Sequence, residues 1–210
     1  MDDMDSVKLL VVGEKSVGKT SFIRRFVDDK FTLETKSSVC MNYFYRRIDI
    51  DEDNELLVHI FDAPGEEEYK FFTSLYYKSV QGIIVMYDAN DTSSVEDMQQ
   101  RIKDIKQKIL SDTVIIFVKN KIDVDGKHGA EIMIEKLAIE NQITRMSVSC
   151  LTGQNVEATI RKVIEEIVNR KRKLREEWQP SNVRDKSEPP KMPKKRTYFK
   201  LMIKRILKKL

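Results

Sequence analysis

Cysteine is scarce in this chain: Cys40 and Cys150 are the only two in 210 residues. Two thiols make no disulfide framework, and a reducing cytosol is the simple reading. No apolar run approaches the ~20 residues needed to span a bilayer. The start, Met1-Asp2-Asp3, is acidic and lacks the apolar core of a secretory signal, so secretion is not expected. Met1-Asp2 also offers no glycine for N-myristoylation, and the ending Leu207-Lys208-Lys209-Leu210 offers no cysteine for prenylation. Proline is rare outside one stretch, with four of the five prolines between Gln179 and Pro193. Acid is missing altogether from residues 191–210, which carry nine Lys/Arg.

That last absence distorts the net charge of +4. Residues 1–169 hold 22 bases and 30 acids, a net of −8, so the chain is an acidic body with a basic tail. A hydrophobic content of 40% and a charged content of 34% fit a globular domain with charge on the high side. The length allows one ordinary domain plus a tail.

Short apolar runs alternate with helical patterns along the body. Val7–Val12, Ile83–Tyr87 and Val114–Val118 read as buried strands, and Arg145–Ser149 as a weaker last strand. Tyr43–Asp51 and Glu55–Asp62 read as two strands joined by an acidic turn. Helices are expected over Ser21–Val27, Glu67–Lys78, Ser93–Leu110, Glu131–Ile139 and Val156–Val168, with Ser93 or Ser94 as an N-cap. This alternation predicts an α/β fold with a wound, mostly parallel sheet. The expected organisation is a domain over residues 1–173, a proline-rich linker over 174–193 and a helical tail over 194–210.

Three motifs carry chemistry. Gly13-Glu14-Lys15-Ser16-Val17-Gly18-Lys19-Thr20 fits the phosphate-loop pattern G-x-x-x-x-G-K-[ST] between a strand and a helix. Its glycines let backbone N–H groups converge on phosphate oxygens, Lys19 offers a cation, and Thr20 offers a hydroxyl to Mg²⁺. Ser21 follows in the first turn of the helix. Asp62-Ala63-Pro64-Gly65 ends a strand, where Asp62 suits an Mg²⁺ partner and Gly65 admits close approach to a γ-phosphate. Alone this would read as a turn; after the loop at Gly13 it reads as part of a site. Asn120-Lys121-Ile122-Asp123 follows another strand, and a carboxylate there can accept the N1 and N2 hydrogen bonds of guanine. Adenine lacks that donor pair, which argues against an ATP-using kinase.

Together these pieces resemble the Ras superfamily of small GTPases, most closely its Rab branch, over residues 7–170. The run Tyr76-Tyr77-Lys78, followed by Gly82 to Asp88, is similar to Rab sequences. The resemblance implies a P-loop GTPase fold with six strands and about five helices, GTP/GDP and Mg²⁺ as ligands, and effector and exchange proteins as partners. It implies that Phe31 packs on the guanine edge, that Ser38 is the switch I hydroxyl for Mg²⁺, and that Ser149-Cys150-Leu151 forms the second guanine loop. It places Glu66 where the family has its catalytic glutamine, beside Gly65 and the charge-neutralising Lys19.

The departures lie at reacting positions. Lys15 and Ser16 stand where small residues are usual, so an inserted arginine finger would be crowded, or Lys15 could itself supply positive charge. Glu66 adds negative charge near phosphate oxygens. Leu151 replaces a lysine that flanks the base. Nucleotide binding is expected to be intact and hydrolysis slow; the alternative is a non-hydrolysing GTP-binding module. Tyr45-Arg46-Arg47-Ile48, the altered Asp-Ala-Pro-Gly-Glu-Glu segment and the tail also resemble the Rad/Gem/Kir subfamily in part.

In the tail, 100° per residue puts Phe199, Met202, Ile203, Ile206, Leu207 and Leu210 on one helical face and Lys200, Lys204, Arg205, Lys208 and Lys209 on the other. This amphipathic pattern suits an anionic membrane surface on the cytoplasmic side, and equally a calmodulin-type partner. Nucleic acid is the less expected partner. Trp178 reads as a packing residue.

Overall fold

The computed structural model describes residues 6–32, 40–51, 54–88, 90–91, 98–124 and 131–177. Ser38, the Ser93/Ser94 cap, Trp178, most of the linker and the whole tail helix lie outside the described residues.

Six strands form one sheet: β1 (Ser6–Gly13), β2 (Asn42–Asp51), β3 (Asn54–Asp62), β4 (Gly82–Asp88), β5 (Val114–Asn120) and β6 (Thr144–Ser147). Their order across the sheet is β2-β3-β1-β4-β5-β6. Only the β2–β3 hairpin is antiparallel; β3–β1, β1–β4, β4–β5 and β5–β6 are parallel. The helices are α1 (Lys19–Asp28), α2 (Lys70–Tyr76), α3 (Met98–Lys108), α4 (Glu131–Asn141) and α5 (Val156–Glu177).

The continuous apolar strands are buried on both faces, and their period of two separates two cores. In β1, Val7, Leu9 and Val11 point to one side and Leu10 and Val12 to the other. The first side is closed by Phe22, Ile23 and Phe26 of α1 and by Val156, Ile160, Val163, Ile164 and Ile167 of α5. The second is closed by Met98, Ile102 and Ile105 of α3 and by Ile134, Leu137 and Ala138 of α4. The Ile102/Ile105 spacing read from the sequence is therefore the buried stripe of α3.

Two elements differ from their expected form. The stretch from Glu67 is split into a 3₁₀ turn, Glu67–Tyr69, followed by α2. Tyr69 N–H donates to Glu66 O at 3.2 Å, the i to i+3 bond that defines the tighter turn. The last helix runs to Glu177, into the stretch expected as linker, because no glycine or proline interrupts it before Pro180.

The parallel register brings the C-terminal ends of four strands to one edge. Val11 lies beside Asp62, Gly13 beside Met86, and Asp88 beside Asn120. Order reverses on either side of β1, which opens a crevice at that edge.

Core packing separates two isoleucines on the helices. Ile160 is fully buried and Ile132 is 77% exposed. Ile160→Ala is expected to cost about 2–5 kcal/mol in urea unfolding, and Ile132→Ala less than about 0.5 kcal/mol.

Candidate nucleotide-binding site

The loop between β1 and α1 is built by backbone that ordinary residues resist. Gly18 has φ 97°, and a Cβ there would stand 2.3 Å from Asn120 Nδ2. Ser16 also takes a left-handed φ of 64°. Phe22 N–H donates to Gly18 O at 2.8 Å, so helical bonding starts at once and the amides before it stay free of helix partners. The first turn of α1 carries no acid and begins Lys19-Thr20-Ser21, an arrangement that welcomes an anion.

Lys19 is buried at 7% exposure and donates from Nζ to Glu14 O at 2.8 Å. Burial lowers its pKa to about 8, against the opposing pull of the Asp62, Glu14 and Glu66 charges. Thr20 Oγ1 donates to Asp62 Oδ2 at 2.7 Å. Asp62 is fully buried, and burial pushes its carboxyl above the ordinary value despite Thr20, Lys19 and Asn42. Its Oδ1 has no hydrogen-bond partner among the described residues. A buried carboxylate oxygen left over beside a threonine hydroxyl fits a hard cation that takes oxygen ligands. Among the described residues no group of three or more His, Cys, Asp or Glu could hold a metal alone. This suits a cation that completes its shell with phosphate oxygens and water.

Gly65 is held against the loop. A Cβ there would lie 2.7 Å from Lys15 N and from Lys19 Nζ, so no other residue allows this approach. Next to it, Glu66 Oε1 lies 3.4 Å from Lys15 Nζ. The two departures noted in the sequence thus form one ion pair across two loops.

The other end of the crevice is organised by Asn120, which is 1% exposed. Its Nδ2 donates to Val17 O at 2.8 Å, and its Oδ1 accepts from Cys150 N–H at 3.2 Å. Asp123 accepts a hydrogen bond from the buried Ser149 hydroxyl. Lys121 takes a φ of 63°, and its ammonium pairs with Asp88 Oδ2 at 2.6 Å. Cys150 is buried, which raises its thiol pKa to about 12 and keeps it a neutral packing group. Leu151 is 48% exposed at the rim. Phe31 is half-buried against the α1/α5 core, with the Arg25 guanidinium 5.9 Å from its ring centre.

The candidate residues within the described set therefore lie on strand ends, on the first turn of α1 and on the loops that follow β1, α1, β3, β5 and β6. Sequence reasoning missed two arginines that brace them. Arg25 donates from Nε to Cys150 O at 3.0 Å and from Nη2 to Leu151 O at 2.6 Å. Arg101 of α3, only 8% exposed, pairs with Glu14 of the phosphate loop. The Arg25/Asp29 spacing of four is a local signal for one of Arg25's contacts. No local pattern announces a pair between residues 14 and 101.

Residues 8–169 match the family model described as the Ras family. The chain belongs to the Ras family. It is a Ras superfamily small GTPase with a Rab-like core. This small GTPase is 31% identical over 162 residues to the Ras-related protein Rab-13 of Bos taurus, covering 77% of this chain and 79% of that one. It is 29% identical over 163 residues to the GTP-binding protein ypt3 of Schizosaccharomyces pombe (76% and 75% covered). It is 30% identical over 166 residues to the Ras-related protein Rab-18 of Caenorhabditis elegans (79% and 81% covered).

The lowered pKa of Lys19 has a thermodynamic consequence for the small GTPase without ligand. Between about 8 and 10.5 the unfolded chain binds more protons at this residue than the folded one, so stability rises with pH there. Below that window the charged, buried ammonium opposes folding. Lys19→Met is expected to raise the melting temperature of nucleotide-free protein at pH 7, with the gain shrinking as pH rises from 8 to 10.5. Calorimetry across that range checks this, and a melting temperature that falls at pH 7 would contradict it.

Proposed function

We propose that this small GTPase is a guanine-nucleotide switch that hydrolyses GTP slowly and acts in membrane-associated signalling or trafficking. The observation that carries the reading is the buried Lys19 and Thr20–Asp62 group at one end of a crevice, with Asn120, Asp123 and Ser149 at the other. One of its relatives, ypt3, is named for GTP binding, and the same property is assigned here.

In this reading the loop amides from Gly13 to Thr20, with Lys19, hold the phosphates, and Ser21 supports the helix start. Thr20, Asp62 and Ser38 hold Mg²⁺, which neutralises phosphate charge when bound. Asp123 accepts from guanine, Lys121 and Phe31 flank the base, and the Ser149–Leu151 loop closes over it. Gly65 admits the γ-phosphate, and Glu66 stands where a water would be oriented. A carboxylate tied to Lys15 is poorly suited to that task, which supports slow turnover. The same pair favours the second reading, a GTP-binding module that does not hydrolyse. Effector and exchange proteins are the partners expected of either.

Nucleotide extracted from purified protein should be GDP or GTP, and single-turnover GTP hydrolysis with Mg²⁺ should be slow compared with Rab proteins. Turnover equal to theirs would refute the slow-rate reading, and an undetectable rate would favour the non-hydrolysing module.

Among the described residues no helix is long and apolar enough to cross a membrane. We assign membrane contact to residues 194–210, whose eight bases and apolar face suit an anionic surface. Flotation with vesicles containing phosphatidylserine should succeed with the full chain and fail after deletion of 194–210. Unchanged flotation would exclude the tail as anchor. Capture of the tail by calcium-loaded calmodulin in place of vesicles would favour the calmodulin reading.

A further inference from the structure

Lys15 and Glu66 form an ion pair that joins the phosphate loop to the segment after β3. Their backbones are already in contact range, because Gly65 sits on the Lys15 amide. Both side chains keep access to solvent, Lys15 at 59% and Glu66 at 28% exposure. Lys19 lies behind them, and the Glu66 charge is one of those that reach it. The second phosphate-loop cation is thus held by an acid of another loop, at the rim of the pocket floored by Lys19.

Two anions compete for this cation. A diphosphate gripped by the loop and Lys19 leaves the Lys15–Glu66 pair intact. A third phosphate adds charge where Gly65 and the loop meet; it attracts Lys15 and repels Glu66. From this geometry, and resting on the guanine-nucleotide reading above, we propose that Lys15 and Glu66 form a latch opened by the terminal phosphate. Lys15 turns from Glu66 to the phosphate, and Glu66 is released together with the start of the 3₁₀ turn at Glu67–Tyr69. Glu66 thereby acts as a specificity-determining residue that favours the diphosphate state, and Lys15 is the element shared by the two states.

The measurement is the ratio of affinities for a non-hydrolysable GTP analogue and for GDP, each by competition against fluorescent GDP with Mg²⁺ present. Glu66→Gln should raise the analogue-to-GDP ratio about three- to fivefold, the scale of a solvent-accessible ion pair. Lys15→Met should lower it by a similar factor. The deciding comparison is the double variant: with Lys15 gone, Glu66→Gln should change the ratio by much less than it does in the wild type. Both substitutions are at solvent-accessible side chains, and retained GDP binding reports an intact fold. Fully additive effects would overturn the latch and leave Glu66 as a simple repulsive charge. Ratios within twofold of wild type in both single variants would overturn it as well. Wild-type protein that binds neither nucleotide would overturn the guanine-nucleotide reading itself, and the latch with it.

Discussion

The arrangement of the crevice depends on one buried amide. Asn120 ends β5, and its two polar ends point in different directions, one to the carbonyl of Val17 and one to the N–H of Cys150. A buried carboxamide with an unmet group would cost about 1–3 kcal/mol; with both ends met, it fixes geometry. It ties the loop after β1 to the loop after β6 through the end of β5. Gly18 is the companion constraint, since any side chain there would collide with that amide. Arg25 adds a second tie by reaching from α1 to the carbonyls of Cys150 and Leu151. The phosphate-loop end and the base-loop end therefore behave as one framework rather than as three independent loops.

That framework also explains how far the sequence could be read. The strands were legible because each is a short apolar run buried on both faces, and the phosphate loop was legible because its chemistry is local. Boundaries of β1 and α1 moved by a residue or two where local signals are weak, with β1 gaining Ser6 and Gly13 and α1 beginning at Lys19 rather than Ser21, while the last helix runs nine residues past Val168. The split of the Glu67 segment was not legible. Phe71, Phe72 and Leu75 of α2 are exposed and Thr73 is buried, which inverts the usual use of apolar residues on a helix. Its placement follows from the seat of Gly65 on the phosphate loop, not from its own periodicity.

The candidate site divides along the same line. Gly13 to Thr20, Asp62 and Asn120 to Asp123 were legible as candidates because motif spacing places them. The Arg101–Glu14 and Arg25–Cys150 contacts bridge 87 and 125 residues of sequence, and nothing local encodes them. Lys15 and Glu66 were each visible as departures from the family pattern. Their meeting depends on the tertiary approach of two loops. Read one at a time, each substitution is a liability at the reacting phosphate; read together, each supplies the other's counter-charge.

The pairing changes how binding of a polyanion to an acidic body should be understood. The first 169 residues carry a net charge of −8, so the general field of the domain opposes a nucleotide. The charged side chains of the pocket do not simply reverse that field. Lys15 faces Glu66, Arg101 faces Glu14, and Lys19 is buried close to Asp62, with its ammonium already bonded to Glu14 O. Attraction must therefore come largely from oriented dipoles: the amides of the loop and of the first turn of α1, which need no counter-ion and are fixed before a ligand arrives. The paired cations contribute most where an incoming phosphate can take one from its partner. Among those pairs the acids are alike at 28% and 30% exposure, but Lys15 is 59% exposed against 8% for Arg101, and an exposed cation is the easier one to exchange. On the proposed reading, rigid dipoles would hold the nucleotide, and Lys15, the loosely held cation of the phosphate loop, would respond to how many phosphates it carries.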